Sequence, residues 1–185
     1  MVSKPLAIRL RDPSPEDVDA RAALGTSAEI IRMYGYLTNT SSSVMARDKA
    51  LGWFESLRNH PCAWVIEADG ALVGEARIDN INEADHRGRL AIGLFNEKFL
   101  GRGIGRKAIN LVLRQAFGPL QLHRVDLRVL SYNIRAIRCY ESCGFIREGV
   151  ERESALVGGE WHDDWIMAIL EREFHARCGT CETEK

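Results

Sequence analysis

Residues 6–10 alternate apolar and polar positions and predict a first strand. The run Asp12-Pro13-Ser14-Pro15-Glu16-Asp17 then carries a helix start. Ser14 can cap, Pro15 suits the first helical position, and Asp17 follows three residues after the cap. The helix covers about 15–24. Residues 25–43 show no clean period, although Ile30, Ile31, Met33, Tyr34 and Tyr36 keep them from reading as a solvated loop. Ser41-Ser42-Ser43 leads into a helix over 46–59 that carries Leu51, Trp53, Phe54 and Leu57 and ends before Pro61. Strands over 63–67 and 72–78 flank an Asp69-Gly70 turn. A polar loop over 80–87 separates them from a strand over 90–95. Residues 104–117 place Ile104, Ala108, Leu111, Val112 and Gln115 on one helical stripe, stopped by Gly118-Pro119. A strand over 124–130, a helix over 133–143 closed by Gly144, and a hairpin of 145–157 and 161–170 about Gly158-Gly159 complete the chain. No repeat or linker interrupts this order. It predicts one mixed α/β (α+β) domain around a single sheet.

Between the strand at 90–95 and the helix at 104–117 lies Gly101-Arg102-Gly103-Ile104-Gly105-Arg106-Lys107. Glycines on alternate positions let a backbone approach a ligand closely. The helix behind them aims unpaired N–H groups and its positive dipole end at the same place. Arg102, Arg106 and Lys107 add cationic side chains. This is the composition of a phosphate or diphosphate site, and equally of a tight turn with no ligand. It is not a P-loop, which needs Gly-x-x-x-x-Gly-Lys-Ser/Thr. The dinucleotide fingerprint Gly-x-Gly-x-x-Gly fails at its last glycine, and Asn96 to Leu100 separate the strand from the loop. Asp126 stands at the right distance for that fingerprint's acidic residue, but it reads as mid-strand.

The order strand, Gly-x-Gly-x-Gly, helix, strand, then Asn133-Ile134-Arg135-Ala136-Ile137-Arg138-Cys139-Tyr140-Glu141-Ser142-Cys143-Gly144-Phe145, resembles the GNAT superfamily of N-acetyltransferases. The resemblance includes the opening Ile8-Arg9-Leu10-Arg11-Asp12-Pro13 and the closing segment from Trp161 to Leu170. It spans about residues 7–173 and leaves 174–185 as a mobile tail. Within the superfamily the chain is similar to the branch of ribosomal-protein N-terminal (RimJ/RimL-type) and spermidine acetyltransferases. The resemblance implies a mostly antiparallel sheet of about seven strands, splayed at the centre and flanked by four to five helices. It implies acetyl-CoA as co-substrate, a primary amine as acceptor (a protein N-terminus or a small polyamine-like molecule), and no metal.

By the same resemblance, the amides around Gly101, Arg102, Gly103, Ile104, Gly105 and Arg106 hold the diphosphate. The backbone of Leu94, Phe95 and Asn96 pairs with the pantetheine arm. Gly93 beside them suits a bulge or mere close packing. Asn133 is implied as a contact to the arm, and on its own reads as a helix cap. Tyr140 matches the tyrosine that protonates the departing thiolate. A phenol, with its ordinary pKa near ~10, carries that proton at neutral pH; as a residue alone it reads as a packing aromatic. The chain departs from the family twice. Residues 88–91 carry no carboxylate, so the general base falls to Glu75, Asp79, Glu83, Asp85, His86 or a water chain. Leu100 stands where a polar residue often precedes the glycine loop. Residues 30–36, Trp53, Phe54, the loop 80–87 and Trp161, Asp163 and Asp164 would frame the acceptor pocket. A non-catalytic acyl-CoA-binding module is the alternative function on the same fold.

A chain of 185 residues with 45% hydrophobic and 28% charged residues is an ordinary soluble domain. A net charge of −1 supports neither nucleic acid nor a membrane surface as a partner. No apolar run approaches the ~18 residues of a membrane span, and residues 1–5 lack a signal-like apolar core, so a cytoplasmic location is expected. The five cysteines make no disulfide framework. Cys62, Cys139 and Cys143 read as apolar fillers, and Cys178 and Cys181 as part of the tail. Oligomeric state is not legible.

Overall fold

The structure is a computed structural model describing residues 6–25, 27–36 and 44–179. The elements run β1 (Ile8–Arg11), α1 (Glu16–Leu24), α2 (Ala28–Met33), α3 (Arg47–Arg58), β2 (Ala63–Ala68), β3 (Ala71–Asn82) and β4 (Arg87–Leu94). A 3₁₀ turn (Glu97–Phe99) leads to α4 (Ile104–Phe117), β5 (Arg124–Leu130), α5 (Ile134–Ser142), β6 (Ile146–Val157), β7 (Glu160–Leu170) and α6 (Glu171–Gly179). The seven strands form one sheet in the order β1-β2-β3-β4-β5-β7-β6, antiparallel except between β4 and β5. The expected mixed, mostly antiparallel sheet is therefore present, with six α-helices among the described residues.

The central helix α4 buries Ile104, Ala108, Ile109, Val112, Leu113, Ala116 and Phe117. These join Val125, Leu127, Ile137, Met167 and Ile169 in the main core on one face of the sheet. Gln115 is exposed and Leu111 only half-buried, so the buried stripe is turned from the one drawn from the sequence. α1 and α3 cover the other face over β2 and β3, where Leu57, Ala63, Val65, Leu72 and Phe95 form a smaller core. The aperiodic stretch after residue 25 contains α2, six residues capped by the Ser27 hydroxyl, which accepts from Ile30 N–H. The polar loop is shorter than its sequence suggests, because β3 runs on to Asn82 and β4 begins at Arg87. Ser14 does not cap α1 with its side chain; instead the Asp17 carboxylate accepts the Ser14 N–H at 2.7 Å. Past residue 173 the chain continues as helix, with Phe174 buried against Phe117 at 5.4 Å between ring centroids. The Ser41-Ser42-Ser43 helix entry, residues 1–5 and Cys181 lie outside the described residues, as does the side chain of Cys178.

The edge strand β1 is locked to α1 by charge. Arg11 donates to both Asp17 oxygens, at 2.7 and 2.6 Å, and to Glu67 at 2.7 Å, while Arg9 reaches the other Glu67 oxygen at 2.5 Å. Asp17 and Glu67 are 3% and 5% exposed. Burial pushes the Asp17 carboxyl up, but the Arg11 hydrogen bonds and the Ser14 N–H outweigh it, so its pKa lies below the ordinary value. Arg9 and then Arg11 lower that of Glu67. Removing one partner of a largely buried pair leaves the other uncompensated. Asp17→Asn should therefore destabilise the fold by about 2–3 kcal/mol at neutral pH, measured by urea unfolding. Because the folded-state pKa is depressed, this contribution is present above the unfolded value of ~3.9 and lost as pH falls through the lower folded value. The deficit of the variant relative to wild type should shrink below about pH 4.

Candidate active site

β4 and β5 are hydrogen-bonded at one end only. Arg87, Gly88 and Arg89 pair in parallel with Arg124, Val125 and Asp126. An Arg89–Asp126 ion pair of 2.6 Å pins that end. Beyond it, β4 stays with β3 up to Leu94 and β5 stays with β7 up to Leu130, so the two strands diverge. The expected central splay is a gap between residues 90–94 and 127–130. Phe95 donates its N–H to Val73 O at 3.0 Å, toward β3. Strand amides alternate in direction, so Leu94 turns its N–H toward the gap. Of the three backbones expected to meet a ligand there, Leu94 has the free direction. Phe95 buries its ring against Trp53 at 5.5 Å. Asn96 caps the 3₁₀ turn, accepting from Lys98 N–H at 3.1 Å and donating to Leu24 O at 3.5 Å.

The glycine loop lies where the sequence places it. Gly101 and Gly103 have φ of 70° and 76°, in the region that L side chains avoid. Gly103 occupies the N-cap of α4 without any side chain to cap it. The first N–H groups of the helix are thus left for an outside acceptor, beside exposed Arg102 and Arg106. Gly105 differs from Gly101 and Gly103: it has no left-handed φ, and a Cβ there would make an ordinary 3.5 Å contact with the Cys139 sulfur on α5. Lys107 is not part of the cationic cluster, because its ammonium donates to Leu6 O at 2.8 Å. An uncapped helix start with open, left-handed glycines beside a parted sheet fits a diphosphate with an amide-bearing arm.

Tyr140 sits on α5, half-buried, edge-on to Phe145 at 5.8 Å. Desolvation, then the neighbouring Cys139, Tyr34 and Cys143, raise its pKa well above the ordinary phenol value. Asn133 does cap α5, accepting from Ala136 N–H at 3.2 Å. Its amide also donates to Met33 O at 3.4 Å, and Tyr132 donates its hydroxyl to Arg32 O at 2.7 Å. Both contacts hold the end of α2 beside the open end of the gap. Tyr34, just after α2, is 46% exposed overall, yet its hydroxyl occupies the place that a Cβ on Gly93 would take. The β3–β4 register runs unbroken through Gly93, so this glycine makes a close approach possible rather than a bulge. Burial of that phenol end, then Glu75, raise the Tyr34 pKa strongly, against Arg21 and Arg77.

The β-sheet register sorts the remaining candidates. Asp79 pairs with Arg89, and Glu83, Asp85 and His86 lie in the turn beyond, all at the end where β4 and β5 are joined. Glu75 lies opposite Gly93, at the open end, and accepts from the Trp53 indole. Phe54 is buried with Val18 and Ala50. On the terminal hairpin Asp163 accepts from Glu153 N–H at 2.8 Å, and Trp161 is 60% exposed. Arg21 had no signal in the sequence. It is 6% exposed, stacks on Phe95 at 4.1 Å, and donates to Gly25 O at 2.6 Å. Among the described residues no cluster of His, Cys, Asp and Glu could hold a metal, and no helix is long and apolar enough to cross a membrane.

Comparison with known proteins agrees with this geometry. Residues 7–146 match the acetyltransferase (GNAT) domain family. A probable N-acetyltransferase of Bacillus subtilis, YjcK, is 39% identical over 80 residues, 43% of this chain and 44% of its own length. The spermidine N(1)-acetyltransferase of Vibrio cholerae is 31% identical over 110 residues, 60% of this chain and 63% of its own. The chain thus spans less than two thirds of the length of these relatives. A crystal structure of spermidine N-acetyltransferase from Vibrio cholerae, in complex with CoA and spermine, superposes with a TM-score of 0.75 at 23% identity, covering 91% of this chain and 98% of that one. The chain belongs to the GNAT acetyltransferase family, a family of acetyl-CoA-dependent N-acetyltransferases.

Proposed function

We propose that this chain is a cytoplasmic enzyme that moves the acetyl group of acetyl-CoA to a primary amine by direct attack. The observation that carries the reading is the conjunction of two features at one place: the uncapped start of α4 behind Gly101 and Gly103, and the parting of β4 from β5. The first suits the diphosphate, through the amides of residues 101–106 with Arg102 and Arg106. The second suits the pantetheine arm, whose amides pair with Leu94, with Phe95 and Asn96 forming the wall and Asn133 the far side. Holding thioester and amine in line supplies much of the rate, since orientation alone is worth several kcal/mol.

Tyr140 is the general acid in this reading. Its raised pKa keeps the phenol protonated across the physiological range, so it can give that proton to the thiolate as the C–S bond breaks. The acceptor is a primary amine on a polyamine-like molecule or at a protein N-terminus. The name of the Vibrio cholerae relative supports the first. The second is favoured by the pairing of nearby carboxylates with arginines: Glu29 with Arg135 and Glu151 with Arg128. A long polycation would find few unpaired carboxylates on these elements.

Tyr140→Phe should lower kcat by about 10²–10³-fold while leaving the Kd for coenzyme A within twofold, read by thiol release and by calorimetry. Unchanged turnover would remove the assigned acid. Gly103→Val adds a side chain at φ 76°, where an L residue costs about 1–2 kcal/mol. It should weaken coenzyme A binding by about tenfold, whereas the same change at exposed Gly52 should leave the Kd unaltered. A panel of spermidine, spermine and peptides with free N-terminal Ala or Ser tests the acceptor. Coenzyme A binding without transfer across the panel would mark a binding module instead.

A further inference from the structure

An amine reaches a neutral active site mostly as the ammonium, with no lone pair to attack a thioester, so its proton must have somewhere to go. The strand before the glycine loop supplies no carboxylate. A cavity of about 340 Å³ lies on the β3 face under α3, lined by Trp53, Ser56, Leu57, His60, Glu75, Arg77 and Asp79. Glu75 stands at one end, opposite Gly93 where β4 and β5 have parted. His60 and Asp79 stand at the other, 3.1 Å apart, and both side chains are a quarter exposed to solvent. The cavity therefore runs along a polar wall from Glu75, whose strand neighbour is Gly93 beside the gap, to the partly exposed His60 and Asp79. It has ample room for ordered water.

We propose that Glu75 accepts the proton of the incoming ammonium and that the cavity behind it, ending at Asp79 and His60, conducts that proton to solvent. The inference rests on the acetyl-transfer reading above. Glu75 is held for the task. The Trp53 indole donates to Oε2, and Arg77 lies 3.4 Å from Oε1. A carboxylate offers about four lone-pair directions, so both contacts leave room for a water or an amine. The groups facing Glu75 come from every side: Trp53 on α3, Arg77 and Asp79 on β3, His60 before β2, Arg21 on α1, and Tyr34 after α2. Arg21 and Arg77 balance Glu75 and Asp79 before any substrate arrives. No net negative charge is thus left over to hold an arriving amine in its ammonium form. Trp53 and Arg77 are positioning residues, since they act through Glu75.

The protons balance. One leaves the ammonium to Glu75 and exits past His60. The neutral nitrogen then forms the C–N bond, the C–S bond breaks, and the sulfur takes the Tyr140 proton. The second nitrogen proton, lost as the amide forms, returns to the Tyr140 oxygen. The net products are the acetylated amine, the free thiol and one proton to solvent.

The test is the pH dependence of acetyl transfer by the full chain, with spermidine and an N-terminal peptide as acceptors. Glu75→Gln should lower kcat about 100-fold at pH 7 with an unchanged coenzyme A Kd. The deficit should shrink as pH rises toward the pKa of the acceptor, because more amine then arrives neutral. His60→Gln, a change at the cavity mouth, should slow turnover severalfold and be restored by imidazole in the buffer. A Glu75→Gln enzyme within threefold of wild type, or a deficit that does not vary with pH, would overturn the assignment of the base. A His60→Gln enzyme that is unimpaired, or impaired but indifferent to imidazole, would overturn the exit route. Wild-type protein that binds coenzyme A but acetylates neither acceptor would remove the underlying reading, and the inference with it.

Discussion

Two strands joined at only three residue pairs set the terms for this molecule. Unpaired backbone amides inside a sheet are unfavourable unless something meets them. β4 and β5 leave such amides facing a gap because each is fully occupied on its other side, β4 by β3 and β5 by β7. The Arg89–Asp126 pair holds the closed end together, so the opening is a fixed wedge rather than a loose edge. A ligand bearing its own amides is the natural complement of that wedge. The glycine loop at the mouth of α4 would supply an anchor for the charged end of such a ligand.

The parts of this arrangement that depend on near neighbours in the chain were legible in the sequence. The glycine loop, the start of α4 and the cap at Asn133 are all written within a few residues of one another. The strands were legible as alternating or apolar runs bounded by turns, and the splay came from the family resemblance. What the residues could not reveal was register. Glu75, Asp79, Glu83, Asp85 and His86 look equivalent as a string, yet only Glu75 lies opposite Gly93. Lys107 looked like part of the phosphate cluster until the fold brought Leu6 O within its reach. Helix α2 escaped notice because six residues are too few for a 3.6-residue period to show. Arg21 lies in a short amphipathic helix, where an arginine is normally solvated; its burial beneath Phe95 is a tertiary event.

The site therefore has two halves with different origins. The half that suits the coenzyme comes from backbone: amides, glycine torsions and a helix end. The half that would meet the amine comes from side chains on elements far apart in the chain, namely Trp53, Glu75 and Tyr34. Backbone features survive most substitutions of side chain, and so such a loop can be common to a family whose acceptors differ. Acceptor preference must then reside in the second half, where one change of charge alters the field without disturbing the diphosphate anchor.

Gly93 shows how closely the halves are joined. It lies on β4, one residue from the amide that faces the gap, and opposite Glu75 on β3. Any side chain at this position would displace the Tyr34 hydroxyl. Tyr34 in turn is carried by the α2 segment, which Asn133 and Tyr132 tie to the start of α5, the helix of Tyr140. A shift of α2 would thus be felt at the β4 backbone and at the helix bearing the proposed acid. The close approach of the Tyr34 hydroxyl to Gly93 therefore ties the packing of the α2 segment to the backbone of β4, because a glycine without a Cβ is the contact surface between them.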